Sequence, residues 1–178
     1  MPRNKRSPLR LYSGQIDVVA KELLQLLTEG GDLEVTPENL PEVQKDIQSV
    51  LREYIRLNRE LMDLARDKAA ENRRSNIGRE KRKVAKEKGL DIFDDPVGYI
   101  INQLIETFFH SHFVDEVYAL DRDLRRKMAP ILKRHMSVEE ELDEEVRDKI
   151  KNLEEGSQAW EIEYEKAMGK LKRTKNLE

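Results

Sequence analysis

Residues 16–70 align with residues 97–151 without a gap, at a constant offset of roughly 81 positions. Leu23 falls on Leu104 and Leu51 on Leu132. Glu60 and Leu61 fall on Glu141 and Leu142, and Arg66, Asp67 and Lys68 on Arg147, Asp148 and Lys149. Where identity is lost, apolar character is kept: Ile16 and Val97, Val19 and Ile100, Leu24 and Ile105, Val43 and Leu124, Ile47 and Met128, Val50 and Ile131, Leu57 and Val138. A tandem duplication of a helical unit explains both kinds of match, because copies keep core positions after their surfaces have changed. Such an origin dictates architecture rather than activity.

Charged residues make up 39% of the chain and aromatics only 6%, a balance that approaches the composition of disordered proteins. Periodicity decides against disorder, since the apolar residues fall in helical stripes. The formal net charge of −3 gives no overall attraction to nucleic acid or anionic lipid. With no cysteine, disulfides, thiol nucleophiles and thiolate metal sites are excluded. No run approaches the roughly 20 apolar residues of a membrane span. The first ten residues are polar and basic, without the apolar centre of a signal peptide, so the expected location is the cytoplasm.

Residues 1–12 read as a basic arm carrying Arg3, Lys5, Arg6 and Arg10. Residues 13–89 read as a first helical unit. Ser13 offers a cap, Ile16, Val19, Ala20, Leu23, Leu24 and Leu27 come after it at helical spacing, and Gly30 and Gly31 stop the helix. Thr36 and Pro37 signal a second start, with a capping hydroxyl ahead of proline. Leu40, Val43, Ile47, Val50, Tyr54, Leu57, Leu61 and Leu64 then form a three-four seam, widened by Leu51, Ile55, Met62 and Ala65. Residues 72–88 turn basic.

Residues 90–173 read as the second unit, opened by Asp94, Asp95 and Pro96. Pro130 inside its seam predicts a kink, and Ser137 with Glu140 predicts a capping box. Gly156 and Ser157 break and restart the chain ahead of Trp160, Tyr164, Ala167 and Leu171. Trp160 is expected to lock this last helix in place. Residues 174–178 are expected to fray. No stretch alternates as a strand does, so the predicted fold is all-α: two tandem pseudo-symmetric units in an elongated helical bundle, with no sheet.

Three stretches resemble the bacterial domain of unknown function 507 family. They are residues 11–18, residues 142–150, and the segment Glu155, Gly156, Ser157, Gln158, Ala159, Trp160 with Tyr164, Glu165 and Lys166 after it. The resemblance covers about residues 10–173 and implies a helical cytoplasmic bacterial protein with no assigned activity. The arm before Leu11 is an extension relative to the family's short start.

His110 and His112 with Asp115 and Glu116 are of the residue types that bind transition metals, but residues two apart on a helix point to different sides. A surface or interface role fits them better. The acidic run over residues 139–145 fills outward positions between Val138, Leu142 and Val146, as a solvated face does. No paired Glu-x-x-His, phosphate loop, dinucleotide fingerprint or nucleophile elbow is present. No cofactor, small-molecule substrate or enzymatic activity is implied.

The strongest functional candidate is the basic segment, with Arg73, Arg74, Arg79, Lys81, Arg82, Lys83 and Lys86. Such a helix can neutralise phosphates. Equally, it can be a solvated face, or pair with the acidic run. Aromatics for base stacking are missing nearby, which favours phosphate contacts on structured RNA or a ribosomal surface over base reading. The leading expectation is a non-enzymatic interaction or scaffold protein with a protein partner or self-association. The alternative is an RNA- or ribosome-associated factor, and a metal-dependent enzyme stands last.

Overall fold

The computed structural model describes residues 9–178. Of the basic arm, Arg3, Lys5 and Arg6 therefore lie outside the described residues. Most of the chain is helical: α1 (Ile16–Glu29), α2 (Leu40–Glu71), α3 (Ile77–Glu87), α4 (Pro96–His110), α5 (Asp121–Met136), α6 (Val138–Lys149) and α7 (Gln158–Thr174). No helix among the described residues is long and apolar enough to cross a membrane. Two compact units emerge from the packing, residues 16–131 and residues 9–15 with 132–178.

In the larger unit, α1 continues from a 3-10 turn at Ser13–Gln15 and buries Ile16, Val19, Ala20, Leu23, Leu24 and Leu27. Its end is set by glycine. Gly31 has φ 72°, while Asp32 N–H donates to the Leu27 carbonyl (2.9 Å) and Gly31 N–H to the Thr28 carbonyl (3.2 Å). These are the paired bonds of a Schellman turn, which satisfies carbonyls the helix leaves open. Thr36 does not cap the next helix. Its side chain makes no capping bond, and a 3-10 turn at Pro37–Asn39 leads into α2 instead. α2 runs 32 residues and buries Val43, Ile47, Leu51, Tyr54, Leu61 and Ala65, with α1, α3 and α4 as its main neighbours. That face is broader than a two-helix seam, as three neighbours require. Its outer side is laced by exposed, solvent-screened pairs such as Arg56 with Glu53 (2.6 Å) and Glu60 (2.9 Å). α4 starts where the sequence marks it, with Asp95 accepting from Gly98 N–H (2.9 Å), and buries Val97, Ile100, Ile101, Leu104, Ile105 and Phe108.

The expectation of no sheet is corrected by two short strands. β1 (Leu33–Glu34) pairs antiparallel with β2 (Glu116–Val117), Leu33 opposite Val117 and Glu34 opposite Glu116. Two residues are too few for alternation to show in a sequence. Asp32 organises the pair. Its carboxylate, 8% exposed, receives Lys127 Nζ at 2.6 and 2.8 Å, and its carbonyl accepts from Tyr118 N–H (2.9 Å). Facing carboxylates destabilise a strand pair; here the Tyr118 hydroxyl donates to Glu34 (2.5 Å).

α5 contains Pro130 within its helical span and ends at Met136, and α6 begins after Ser137. The predicted capping box does not form. Ser137 has helical φ and ψ, its hydroxyl is turned back to donate to the Lys133 carbonyl (2.5 Å), and it accepts from no N–H of α6.

The smaller unit has its own apolar cluster of Tyr12, Leu142, Val146, Ile150, Met168 and Leu177, rimmed by half-buried Leu153, Trp160, Tyr164 and Leu171. The segment expected to fray folds back. Asn176 at φ 57° ends α7, Leu177 is buried, and its carbonyl accepts from Gly14 N–H (3.1 Å). A Cβ on Gly14 would lie 1.9 Å from the Asn176 carbonyl oxygen, so only glycine fits there. Trp160 stacks on Tyr164 (4.9 Å between centroids, 17° between planes), with the Arg147 guanidinium 5.2 Å above it. It is a rim residue, not a buried core residue.

Trp160→Ala is therefore expected to cost about 1–3 kcal/mol in urea unfolding, less than a buried tryptophan would. Tyr12, whose hydroxyl donates to Glu139, and Tyr164, bonded to Asp143, hold their protons well above the usual phenol range, chiefly through burial. Burial pushes Tyr54 up to about 12. Because the folded state keeps these protons longer than the unfolded chain, stability is intact below pH about 10 and falls as pH rises beyond it. A phenolate absorbance titration alongside denaturant melts should show these three tyrosines ionising late, together with unfolding.

Candidate functional site

The basic segment becomes helix only from Ile77. Asn76 supplies the start: its side chain accepts from Arg79 N–H (2.9 Å). The end repeats the turn that closes α1, with Gly89 at φ 67°, Leu90 N–H donating to the Ala85 carbonyl (2.9 Å) and Gly89 N–H to the Lys86 carbonyl (3.0 Å). Between these stops, Glu80, Val84 and Ala85 are buried on the inner side of α3, which packs on α2. Two ion pairs tie the helices together, Lys68 with Glu87 (3.0 Å) and Lys88 with Glu60 (3.1 Å). Lys68 holds the Glu87 carboxyl below the usual range, and Lys88 does the same for Glu60.

The outer side is different. Arg73, Arg74, Arg79, Arg82, Lys83 and Lys86 are all exposed. Among the described residues none of these six side chains makes a hydrogen bond or an ion pair within 4 Å. Lys81 departs from the group. It is half-buried, with Nζ 4.0 Å from the centre of the Phe93 ring, and burial lowers its pKa. A cleft of about 490 Å³ adjoins this face, bordered by Arg82, Lys86, Phe93, Asp91 and Asp94. Phe93 carried no signal in the sequence, because it lies in a short connection with no periodicity around it.

The acidic run has partners of its own. Glu139 receives the Tyr12 hydroxyl and lies 3.6 Å from Arg10 and 4.0 Å from Lys172; Asp143 binds Arg147 (2.9 Å); Glu145 binds Lys149 (2.9 Å) and Lys175 (3.8 Å). Arg10 and Lys172 also sit over the Tyr12 ring, at 4.4 and 5.3 Å. The basic face thus differs from the acidic one in that, among the described residues, its six exposed cations form no ion pair within 4 Å.

The histidine segment is dispersed. His110 Nδ1 lies 2.8 Å from the Glu106 carbonyl, His112 is exposed, Asp115 accepts from Thr36 N–H (3.1 Å), and Glu116 lies in β2. Among the described residues no group of three or more such side chains is placed to hold a metal ion. Ser111 between the histidines donates to Asp46 (2.7 Å), tying this segment to α2.

A family model described as Protein of unknown function (DUF507) matches residues 9–177. The chain belongs to the DUF507 family. The match spans both compact units of this DUF507 chain and each of its described helices. No curated protein matches it.

Asn76→Ala is expected to destabilise the chain by about 1 kcal/mol and to loosen α3 selectively. Amide hydrogen exchange should then speed up over residues 77–87 while α4 keeps its protection.

Proposed function

We propose that this chain is a non-enzymatic helical interaction protein of the bacterial cytoplasm, with the outer face of α3 as its recognition surface. The observation that carries the reading is the set of six exposed cations on and just before α3 that form no ion pair within 4 Å among the described residues. A helix capped at both ends and ion-paired to α2 presents them from a fixed base. Fixed positive charge of this kind recognises a complementary acidic surface and speeds encounter with it. The segment from Phe109 to Leu120 adds exposed apolar side chains, Phe109, Phe113, Tyr118 and Leu120, which suit a protein partner or a second copy of the chain.

The tandem-copy reading belongs with this proposal. The order α1, β1, α2, α3 is succeeded by α4, β2, α5 with α6, and α7. Asn76 and Ser157 occupy equivalent positions in the offset alignment. Both cap a helix by accepting from the N–H three residues on, Arg79 and Trp160. Both of those helices end in the same left-handed turn, at Gly89 and Asn176. On this reading the ancestral unit was an interaction module, and only the first copy's last helix became basic.

The second reading, an RNA- or ribosome-associated factor, rests on the same six cations and on the lack of an exposed aromatic among them, which suits phosphates rather than bases. Affinity purification from the native cell at moderate salt, with and without nuclease, separates the two. Partners that survive nuclease and are lost in Arg79→Glu/Arg82→Glu/Lys86→Glu support the protein-partner reading. Loss of every partner after nuclease replaces it with the RNA reading. Partners indifferent to the triple variant would show that α3 is not the surface.

A further inference from the structure

A cavity of about 280 Å³ opens between α2 and α4, well away in sequence from the basic segment. From α2 it is lined by Asp46, Val50, Glu53 and Tyr54, which recur every three or four residues and so share one face. From α4 it is lined by Tyr99 and Gln103, again one turn apart. Asp46 and Glu53 are two turns apart, about 10 Å along the axis, so the cavity is a slot with a carboxylate towards each end. The Tyr54 and Tyr99 rings lie 6.4 Å apart at 42°. Among the described residues no cationic side chain lines the slot.

Two features mark the slot as built to receive something. Tyr54 is 4% exposed, yet its hydroxyl has no hydrogen-bond partner among the described residues. The hydroxyl oxygen is not itself enclosed, so it stands open beside the cavity, able to donate to or accept from a group seated there. Asp46 spends one oxygen on the Ser111 hydroxyl (2.7 Å) and keeps the other. Both oxygens of Glu53 are taken by Arg56 (2.6 and 2.8 Å), so Glu53 offers the slot its charge rather than a free acceptor. Its field still reaches the slot, for it helps burial raise the Tyr99 pKa.

We infer that this slot binds a guanidinium group, stacked against the tyrosine rings and donating to the free oxygen of Asp46, with the charge of Glu53 nearby. A guanidinium is planar, weakly hydrated and carries its donors in a fork. It therefore satisfies an aromatic face and a carboxylate at once, which a compact, strongly hydrated ammonium does less well. The source is either an arginine side chain of a protein or a free alkylguanidine, and two probes distinguish them. The inference stands apart from the proposed role of α3, since neither Asp46 nor Tyr99 belongs to that face.

The test is an NMR titration of the full chain at low salt with acetyl-arginine amide, agmatine, butylammonium and the neutral propylurea, monitoring the tyrosine ring signals. Saturable shifts of the Tyr54 and Tyr99 rings are expected with the two guanidinium probes, and weaker ones with butylammonium. Tighter binding of the blocked arginine points to a protein's side chain, and tighter binding of agmatine to a free alkylguanidine; either supports the site. Asp46→Asn keeps an acceptor for Ser111 and removes the charge, and should weaken binding about tenfold. Tyr99→Ala, at a half-exposed position, should weaken it independently. No saturable shift with either guanidinium probe, equal binding of propylurea, or full binding by both variants would overturn the inference.

Discussion

The structure depends on how one helix spends a limited supply of apolar side chains. α2 is charged along its solvent side, and its buried positions serve three neighbours at once. Val43, Ile47, Leu51, Leu61 and Ala65 are fully enclosed, although the chain as a whole is only 38% hydrophobic. A polar chain can fold when its few apolar groups are concentrated so that each is removed completely from water. The remaining surface is then left to charge.

This concentration decides how much of the fold is legible in the sequence. Stripes at Ile16 to Leu27, at Val43 to Ala65 and at Val97 to Phe108 carry a period that only helices produce, and all three became helices, although Val50, Leu57 and Leu64 of the second stripe are only half-buried. Helix boundaries were equally legible at Gly31, which ends α1, and at Asp95 and Ser157, whose side chains cap the starts of α4 and α7. Expectations that rested on a hydroxyl alone fared less well at Thr36 and Ser137. Ser137 has helical φ and ψ, which do not suit a cap, whereas Thr36 has the extended backbone of a cap but leads into a 3-10 turn and makes no capping bond. The strand pair was invisible because its partners are far apart in sequence and its organiser, Asp32, looks like any loop aspartate.

The candidate surfaces divide in the same way. The basic segment stood out as composition, but that Lys81 turns onto Phe93 while its neighbours face water depends on α3 meeting α2 through Glu80, Val84 and Ala85. The tyrosine slot left no trace at all in the sequence. Tyr54 read as one more seam residue, and Tyr99 carried no signal. Only the approach of α4 to α2 brings their rings and the two carboxylates to one opening.

The link between Asp32 and Lys127 also has a bearing on how the chain acquires its shape. The two residues are 95 positions apart. During synthesis at about 5–20 residues per second, Asp32 waits about 5–20 s for its counterion to be made. The α1–α2 hairpin rests on near-neighbour packing and can form within that interval, whereas β1 has no strand to join. The nascent chain thus passes through a stage in which a helical hairpin carries a short open edge and a carboxylate still in water. Arrival of α5 ends that stage, so ribbon closure is a late event of folding, governed by elongation rather than by local propensity.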